Sequence, residues 1–364
     1  MTSLFLNLPG AVEGTGIDAG VPAHYGNLAL EQRALASGEA VVDLSHRAVL
    51  TLTGPDRLTW LDSISSQELR GLQPGESSET LILDPNGRVE HLLRLIDDGV
   101  ALWMLVERPE VESLIAWLNR MKFMMQVEIA DRSDEFTTIG TLGTPELPVA
   151  APNGVPLVWE DSWPVVRAGG HQYASSIHPG AEFSYREVVI GRDDQLAATA
   201  LPVAGMQALE ALRIAAWRPR LSTEVDEKTI PHELDLLRSA VHLNKGCYRG
   251  QETVAKVHNL GHPPRRLVML HLDGSESVLP GHGDPVELAG KLVGTVTSAA
   301  RHYELGPIAL AVIKRNTNPD AVLTVTTDGT AIAASQEVIV PTDAGAEANV
   351  PRLPRLGQVR RPAP

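Results

Sequence analysis

Beyond Pro263-Pro264 the sequence breaks into short apolar runs, and this pattern limits the fold more than any other stretch of the chain. The runs are Leu267 to Leu272, Leu292 to Ser298, Ile308 to Ile313 and Val322 to Thr326. Turns such as Gly281-His282-Gly283-Asp284 separate them. Regular short strands joined by glycine-rich turns predict a small β-barrel over residues 265–340.

The chain before this point mixes both periodicities. Residues 1–28 are rich in Gly, Pro and Ala and read as a loosely held lead-in. A first αβ module is expected over 29–143. Val49 to Thr53 reads as a strand, and Gly54-Pro55-Asp56 starts a helix with proline in its first turn. Thr80 to Leu83 is a strand leading into the Asp84-Pro85-Asn86-Gly87 turn, with Leu92 to Ile96 and Ala101 to Val106 as further strands. Pro109 to Arg120 is the clearest helix, with Val111, Leu114, Ile115 and Leu118 at i, i+3, i+4 and i+7. Proline-rich residues 144–156 read as a linker. A second module is expected over 157–262, with a helix from Val203 to Trp217 and a short one from Pro231 to Arg238. From Pro341 no periodicity is visible, so 341–364 is expected to be disordered. The fold class is therefore α+β.

With 364 residues the chain exceeds one ordinary core, and two or three domains are expected. A net charge of −14 repels phosphate backbones, which argues against broad nucleic-acid binding. No Lys or Arg precedes Arg33, and no apolar run approaches the roughly 20 residues of a membrane span. The expected location is the cytoplasm, with no membrane contact. A single cysteine, Cys247, excludes an internal disulfide and a Cys-rich zinc or iron–sulfur site.

That cysteine sits in Lys245-Gly246-Cys247-Tyr248-Arg249-Gly250-Gln251-Glu252. Gly246 and Gly250 permit positive φ or close approach to a ligand. If the loop is extended, Lys245, Cys247 and Arg249 point the same way, and the cations would favour thiolate. Tyr248 could stack on a flat ring. Gln251 and Glu252 add polar groups beside the loop. The plainer reading is a small buried cysteine beside solvated charges, because free cysteine is among the most buried residue types. From the residues alone, both readings stand.

The octapeptide resembles the K-G-C-Y-x-G-Q-E signature of the YgfZ-like folate-binding proteins, within the glycine cleavage T-protein (aminomethyltransferase) superfamily. Ala211 to Ala215, the turn Ile230-Pro231-His232-Glu233, and Val42 to His46 running to Gly54-Pro55-Asp56 resemble that superfamily in order and spacing. So do Gly290 to Ser298 and Ile308 to Arg315, and the similarity spans about residues 30–335. The finer flavour of the motif resembles the actinobacterial type. The resemblance implies a T-protein-like fold, with mixed αβ folate-binding modules and a C-terminal β-barrel around a central cavity. It implies tetrahydrofolate, or a one-carbon derivative, as cofactor. It implies Cys247 and Lys245 as the reactive pair. Gly246, Tyr248, Arg249, Gly250, Gln251, Glu252, Arg213 and Trp217 are the implied cofactor-binding residues, with Lys245 shared. It implies support of iron–sulfur cluster assembly or repair and of tRNA-modifying iron–sulfur enzymes, with those enzymes or assembly factors as partners.

Two departures set the chain apart from the aminomethyltransferase branch. Glu90-His91 stands where that branch carries an acidic pair, and Ala215 stands where its helix pattern L-R-x-E carries a pterin-binding glutamate. Glycine cleavage is thereby disfavoured, and a folate-dependent one-carbon transferase is the alternative. Folate is held either more weakly or by other groups. No metal site is expected: His258 and His262 are four apart, but Gly261 and Pro263 argue against a shared helix. Arg218, Arg220, Arg265 and Arg266 could form a basic rim for the folate tail, or be ordinary surface arginines.

Overall fold

The fold is described from a computed structural model, which covers residues 3–174, 177–275 and 277–348. The strands Ser77–Leu83, Val89–Asp97, Ala101–Val106, Ala48–Thr53 and Glu128–Asp131 pair in that order into an antiparallel sheet. The strand Ala101–Val106 is apolar throughout because both its faces are covered. Leu102, Met104 and Val106 meet the helices Arg57–Ile64 and Val111–Met121 in one core. Ala101, Trp103 and Leu105 enter a second core on the opposite side. An alternation of period two therefore persists beneath a continuous apolar run.

The second core lies against a second sheet, ordered Val158–Glu160, Arg186–Gly191, Phe136–Thr141, Val41–Asp43 and Val203–Ala204. Only the last pair is parallel. The helix Met206–Ala215 contributes Leu209 and Leu212 to this core. Two strands of the second sheet, Val41–Asp43 and Phe136–Thr141, come from residues 29–143. The linear division into modules 29–143 and 157–262 is thus not a division between sheets: the chain enters the second sheet, builds the first, and returns.

Six strands close the barrel in the order Arg265–Leu272, Gly306–Lys314, Lys291–His302, Pro285–Leu288, Leu323–Thr327 and Thr330–Val338. Four were visible as apolar runs. Pro285–Leu288 and Thr330–Val338 carry too many small and polar residues to stand out. Val268, Leu270, Ala309 and Ala311 form the barrel's own core. Their neighbours Leu267, Met269, Ile308 and Leu310 face out and pack against the αβ layers.

Three elements differ from expectation. The helix expected at 203–217 is Met206–Ala215, because Val203–Ala204 is drawn into the sheet beside Val41–Val42. The helix expected at 231–238 is a pair of 3-10 turns, interrupted by Asp235 in the left-handed region at φ 57°. The stretch Pro341–Ala348 is ordered. Its Ala346, Glu347 and Ala348 amides donate to the carbonyls of Val257, His258 and Asn259 in the last turn of the helix Gln251–Leu260, where carbonyls run short of helical donors. Residues 349–364 of the expected tail lie outside the described residues. Among the described residues, no helix is long and apolar enough to cross a membrane.

Candidate functional site: a motif loop and an arginine-lined cavity

The motif begins at a lysine that is wholly enclosed. Lys245 Nζ, with its side chain 0% exposed, donates to the carbonyls of Asp62 (2.6 Å), Ser65 (2.9 Å) and Gln67 (2.6 Å). It also lies 3.2 Å from Asp62 Oδ1. Burial pushes its pKa down, and the Asp62 carboxylate opposes this. A charge so occupied anchors the loop to the end of helix Arg57–Ile64. Here Lys245, expected as a reactive and cofactor-binding group, serves as an anchor, since a desolvated ammonium is stable only when its hydrogen bonds are filled.

The loop that follows turns outward. Cys247 is exposed, so the buried-cysteine reading does not apply. The three alternate side chains do not gather, however, since Lys245 points inward and Arg249 Nη1 donates to Glu90 at 2.9 Å. Arg249 also lies over the Trp117 ring at 5.8 Å. Tyr248, expected to stack on the cofactor, is 8% exposed and packs in the core. Its ring lies 5.5 Å from Lys245 Nζ. At Gly246 a side chain would meet open space. Gly250 is different: its φ is +85°, and an added Cβ would lie 2.6 Å from the Asp84 carbonyl and 2.9 Å from Gly87 Cα. Only glycine lets the hairpin turn at 84–87 press against the start of helix Gln251–Leu260. Gln251 Nε2 reaches the Lys245 carbonyl at 3.4 Å, and Glu252 is exposed.

A separate small pocket lies between the sheets and is lined by Arg47, Arg94, Arg213, Arg218 and Arg220. Phe183 and Tyr185 form an aromatic wall, stacked at 5.5 Å with an interplanar angle of 20°. Every arginine meets a carboxylate. Arg47 and Arg94 meet Glu187 at 2.5 and 3.3 Å. Arg213 meets Glu210 at 2.6 Å and Glu224 at 3.0 Å. Arg218 pairs with Glu79 and, at 2.9 Å, with Asp161. Arg220 meets Glu107 at 2.7 Å and Asp18 at 2.8 Å. Burial pushes the Glu107 carboxyl up, but Arg220 and Arg47 outweigh it and hold its pKa at about 2.

Glu187 stands out in this wall. It is fully buried, and Tyr185 donates to its Oε1 at 2.8 Å. Its Oε2 is buried without a hydrogen-bond partner. A buried carboxylate oxygen lacking a donor is costly, so it marks a place where a donor is wanted. The sequence reading missed Glu187, Tyr185, Arg47 and Arg94. The available signal was a lone carboxylate opening the apolar run Val188-Val189-Ile190, on the same face as Tyr185 two residues earlier.

Of the residues expected to bind cofactor, Arg213 lines this cavity and the motif residues do not. Trp217 is buried at φ 59°, edge-on to His178 at 5.1 Å, and belongs to the core. The expected basic rim does not form. Arg218 and Arg220 are sealed in ion pairs, and Arg265 is tied to Asp226 and Glu233 at 2.6 and 2.8 Å. Arg266 is buried and donates to Arg315 and Thr317 carbonyls and to Gln336. The loop and cavity are joined indirectly: Lys245 holds Gln67, whose amide donates to the Ser239 carbonyl at 2.9 Å. Ser239 Oγ then donates to Glu79 at 2.9 Å, the partner of Arg218. His258 lies on the helix and hydrogen-bonds Tyr173 at 2.9 Å, while His262 faces the Ala344 carbonyl.

Comparison with known proteins agrees with this architecture. Residues 265–341 match the glycine cleavage T-protein C-terminal barrel domain. An aminomethyltransferase of Rippkaea orientalis is 27% identical over 81% of this chain and 84% of its own length. One from Bacillus subtilis is 24% identical over 84% and 88%. A provisionally named chloroplastic transferase of Arabidopsis thaliana is 27% identical over 76% of this chain, which spans 66% of that protein. The crystal structure of the glycine cleavage system aminomethyltransferase T from Bartonella henselae superposes with a TM-score of 0.70 at 16% identity, covering 93% of this chain and 95% of that one.

Proposed function

We propose that this chain, which carries the glycine cleavage T-protein fold, binds tetrahydrofolate or a one-carbon derivative in the arginine-lined cavity. The observation that carries the reading is the unpartnered Glu187 Oε2 beside the stacked Phe183–Tyr185 pair. A reduced pteridine presents a flat face with adjacent N–H donors on one edge, which suits an aromatic wall and an acceptor-only carboxylate. Glu187 therefore takes the part for which Ala215 left no candidate. When bound, the folate supplies a carrier for a one-carbon unit. Arg47 and Arg94 hold Glu187 ionised, and Arg213 fixes the neighbouring wall through Glu210 and Glu224. The resulting test is calorimetric titration with tetrahydrofolate. Saturable micromolar binding is expected, with at least a tenfold loss in Glu187→Gln; no binding by the intact chain overturns the reading.

The finer role is support of iron–sulfur enzymes, those that modify tRNA included, through the exposed thiol of Cys247. Its presentation on an anchored outer loop suits contact with a partner protein. Cys247→Ala in the native host is expected to lower iron–sulfur enzyme activities. Normal activities in that strain would overturn this role without touching folate binding. A second reading is favoured by the aminomethyltransferase names of the bacterial relatives: transfer of an aminomethyl carbon to tetrahydrofolate, as in glycine cleavage. Against it, Glu90 and His91 are engaged by Arg249 and Glu110. Turnover of an aminomethylated carrier by the purified protein would decide for it.

A further inference from the structure

The dipeptide Arg265-Arg266 opens the first barrel strand, and its two cations are provided for differently. Arg265 meets two carboxylates, Asp226 and Glu233. Arg266 lies on the same strand face as Val268 and Leu270, which form the barrel's own core. Its side chain is 0% exposed, so a guanidinium is enclosed at one end of an apolar barrel. Nε donates to the Arg315 carbonyl at 3.3 Å, and Nη2 donates to the Thr317 carbonyl and to Gln336 Oε1 at 3.0 Å each. All three acceptors are neutral. Among the described residues, Nη1 is buried without a hydrogen-bond partner. So is Oγ1 of Thr317, the residue whose carbonyl Nη2 already holds. Burial alone, with no neighbouring carboxylate to oppose it, pushes the Arg266 pKa down to about 10. An enclosed charge with neither counter-charge nor filled donors is costly, and something must offset it.

The segment 315–321 covers this end of the barrel and brings no counter-charge. Gln336 Nε2 donates to the Asn318 and Ala321 carbonyls at 2.9 Å each. These bonds fix the segment and leave Gln336 Oε1 facing Arg266. Asp320 is the only acidic residue between 315 and 321, and it is exposed. Lys314 and Arg315 add two further cations, and they too donate to carbonyls, those of Leu292 and Thr342. On a chain of net charge −14, this end of the barrel is therefore a local surplus of positive charge. A water would fill the free donors and leave the charge as it is, whereas an anion does both. Both orphaned donors are sealed from solvent, which suits an anion of a single atom.

We infer that the barrel end at Arg266 is a halide site, in which one chloride or bromide ion accepts from Arg266 Nη1 and Thr317 Oγ1. The site is independent of the folate reading. Its test is urea unfolding of the full chain in sodium bromide against sodium methanesulfonate at equal ionic strength, so that general screening cancels. Bromide at about ten times its Kd is expected to lower the unfolding constant roughly tenfold, the effect of an ion that binds only the folded chain. Bromide-soaked crystals are expected to show an anomalous peak within about 3.5 Å of both donors. Thr317→Val is expected to weaken bromide binding about tenfold, the loss of one hydrogen bond to a charge, and Arg266→Met to abolish it. Should Arg266→Met fail to fold, the Thr317→Val comparison and the crystal still decide. A peak without bromide-dependent stability is an adventitious ion only and overturns the site. Bromide dependence unchanged in Thr317→Val, or no peak beside Arg266, overturns it as well.

Discussion

Lys245 and Cys247 are two residues apart and have opposite fates. The ammonium fills four acceptors on the segment 62–67, so Lys245→Met strips three buried carbonyls of this donor and leaves the Asp62 carboxylate only Leu69 N–H and Arg70. A loss of about 3 kcal/mol is expected in urea unfolding, since removing one side of a buried pair is strongly destabilising. Cys247→Ala removes an exposed thiol and is expected to change stability by less than about 0.5 kcal/mol. The pair of variants separates anchor from reactive group. The motif itself was legible in the sequence as a unit. Which of its side chains turn inward was not, because alternation assumes an extended loop, and the loop curls to meet the end of a neighbouring helix. Glu187 was illegible for another reason: the arginines that give it meaning lie 140 and 93 positions away, at Arg47 and Arg94.

The helix Gln251–Leu260 depends on features at both ends. At its start, Gly250 holds a left-handed backbone against the 84–87 turn. Gly250→Ala combines the φ penalty with contact to backbone atoms that cannot swing aside, and a loss of about 2 kcal/mol or more is expected in thermal or urea unfolding. At its end, the strap Pro341–Ala348 supplies donors to the last carbonyls. A chain ended at residue 340 is expected to show faster amide hydrogen exchange over residues 256–261, with the barrel strands unchanged. Gly261 and Pro263 were read as signals against helix, and they do stop it after Leu260. The turns before them are sustained by a segment that local pattern cannot bring into view. The helix Val111–Met121, by contrast, was clear from its own spacing, because it is amphipathic and needs no partner to be recognised.

Acid should weaken the whole fold through two enclosed histidines. Burial, joined by the nearby Arg238 charge, pushes the His178 pKa down to about 3. Burial does the same to His232, although its bond to the Val254 carbonyl opposes the shift. The unfolded chain takes up these protons below about pH 6.5, whereas the folded chain resists until about pH 3. Stability is therefore full above 6.5 and falls as pH drops through this window, by at most about 1.4 kcal/mol per pH unit for each ring. Urea midpoints at pH 7.5 and 5 should differ, and less so in His178→Gln/His232→Gln.

The interleaved sheets have a consequence for how such a chain can be inherited. A gene cut between the codons for residues 143 and 157 would part Phe136–Thr141 from Arg186–Gly191, and Val41–Asp43 from Val203–Ala204. Each product would expose torn strand edges that invite clumping. An exchange of halves between related genes at this point would have to preserve both pairings at once.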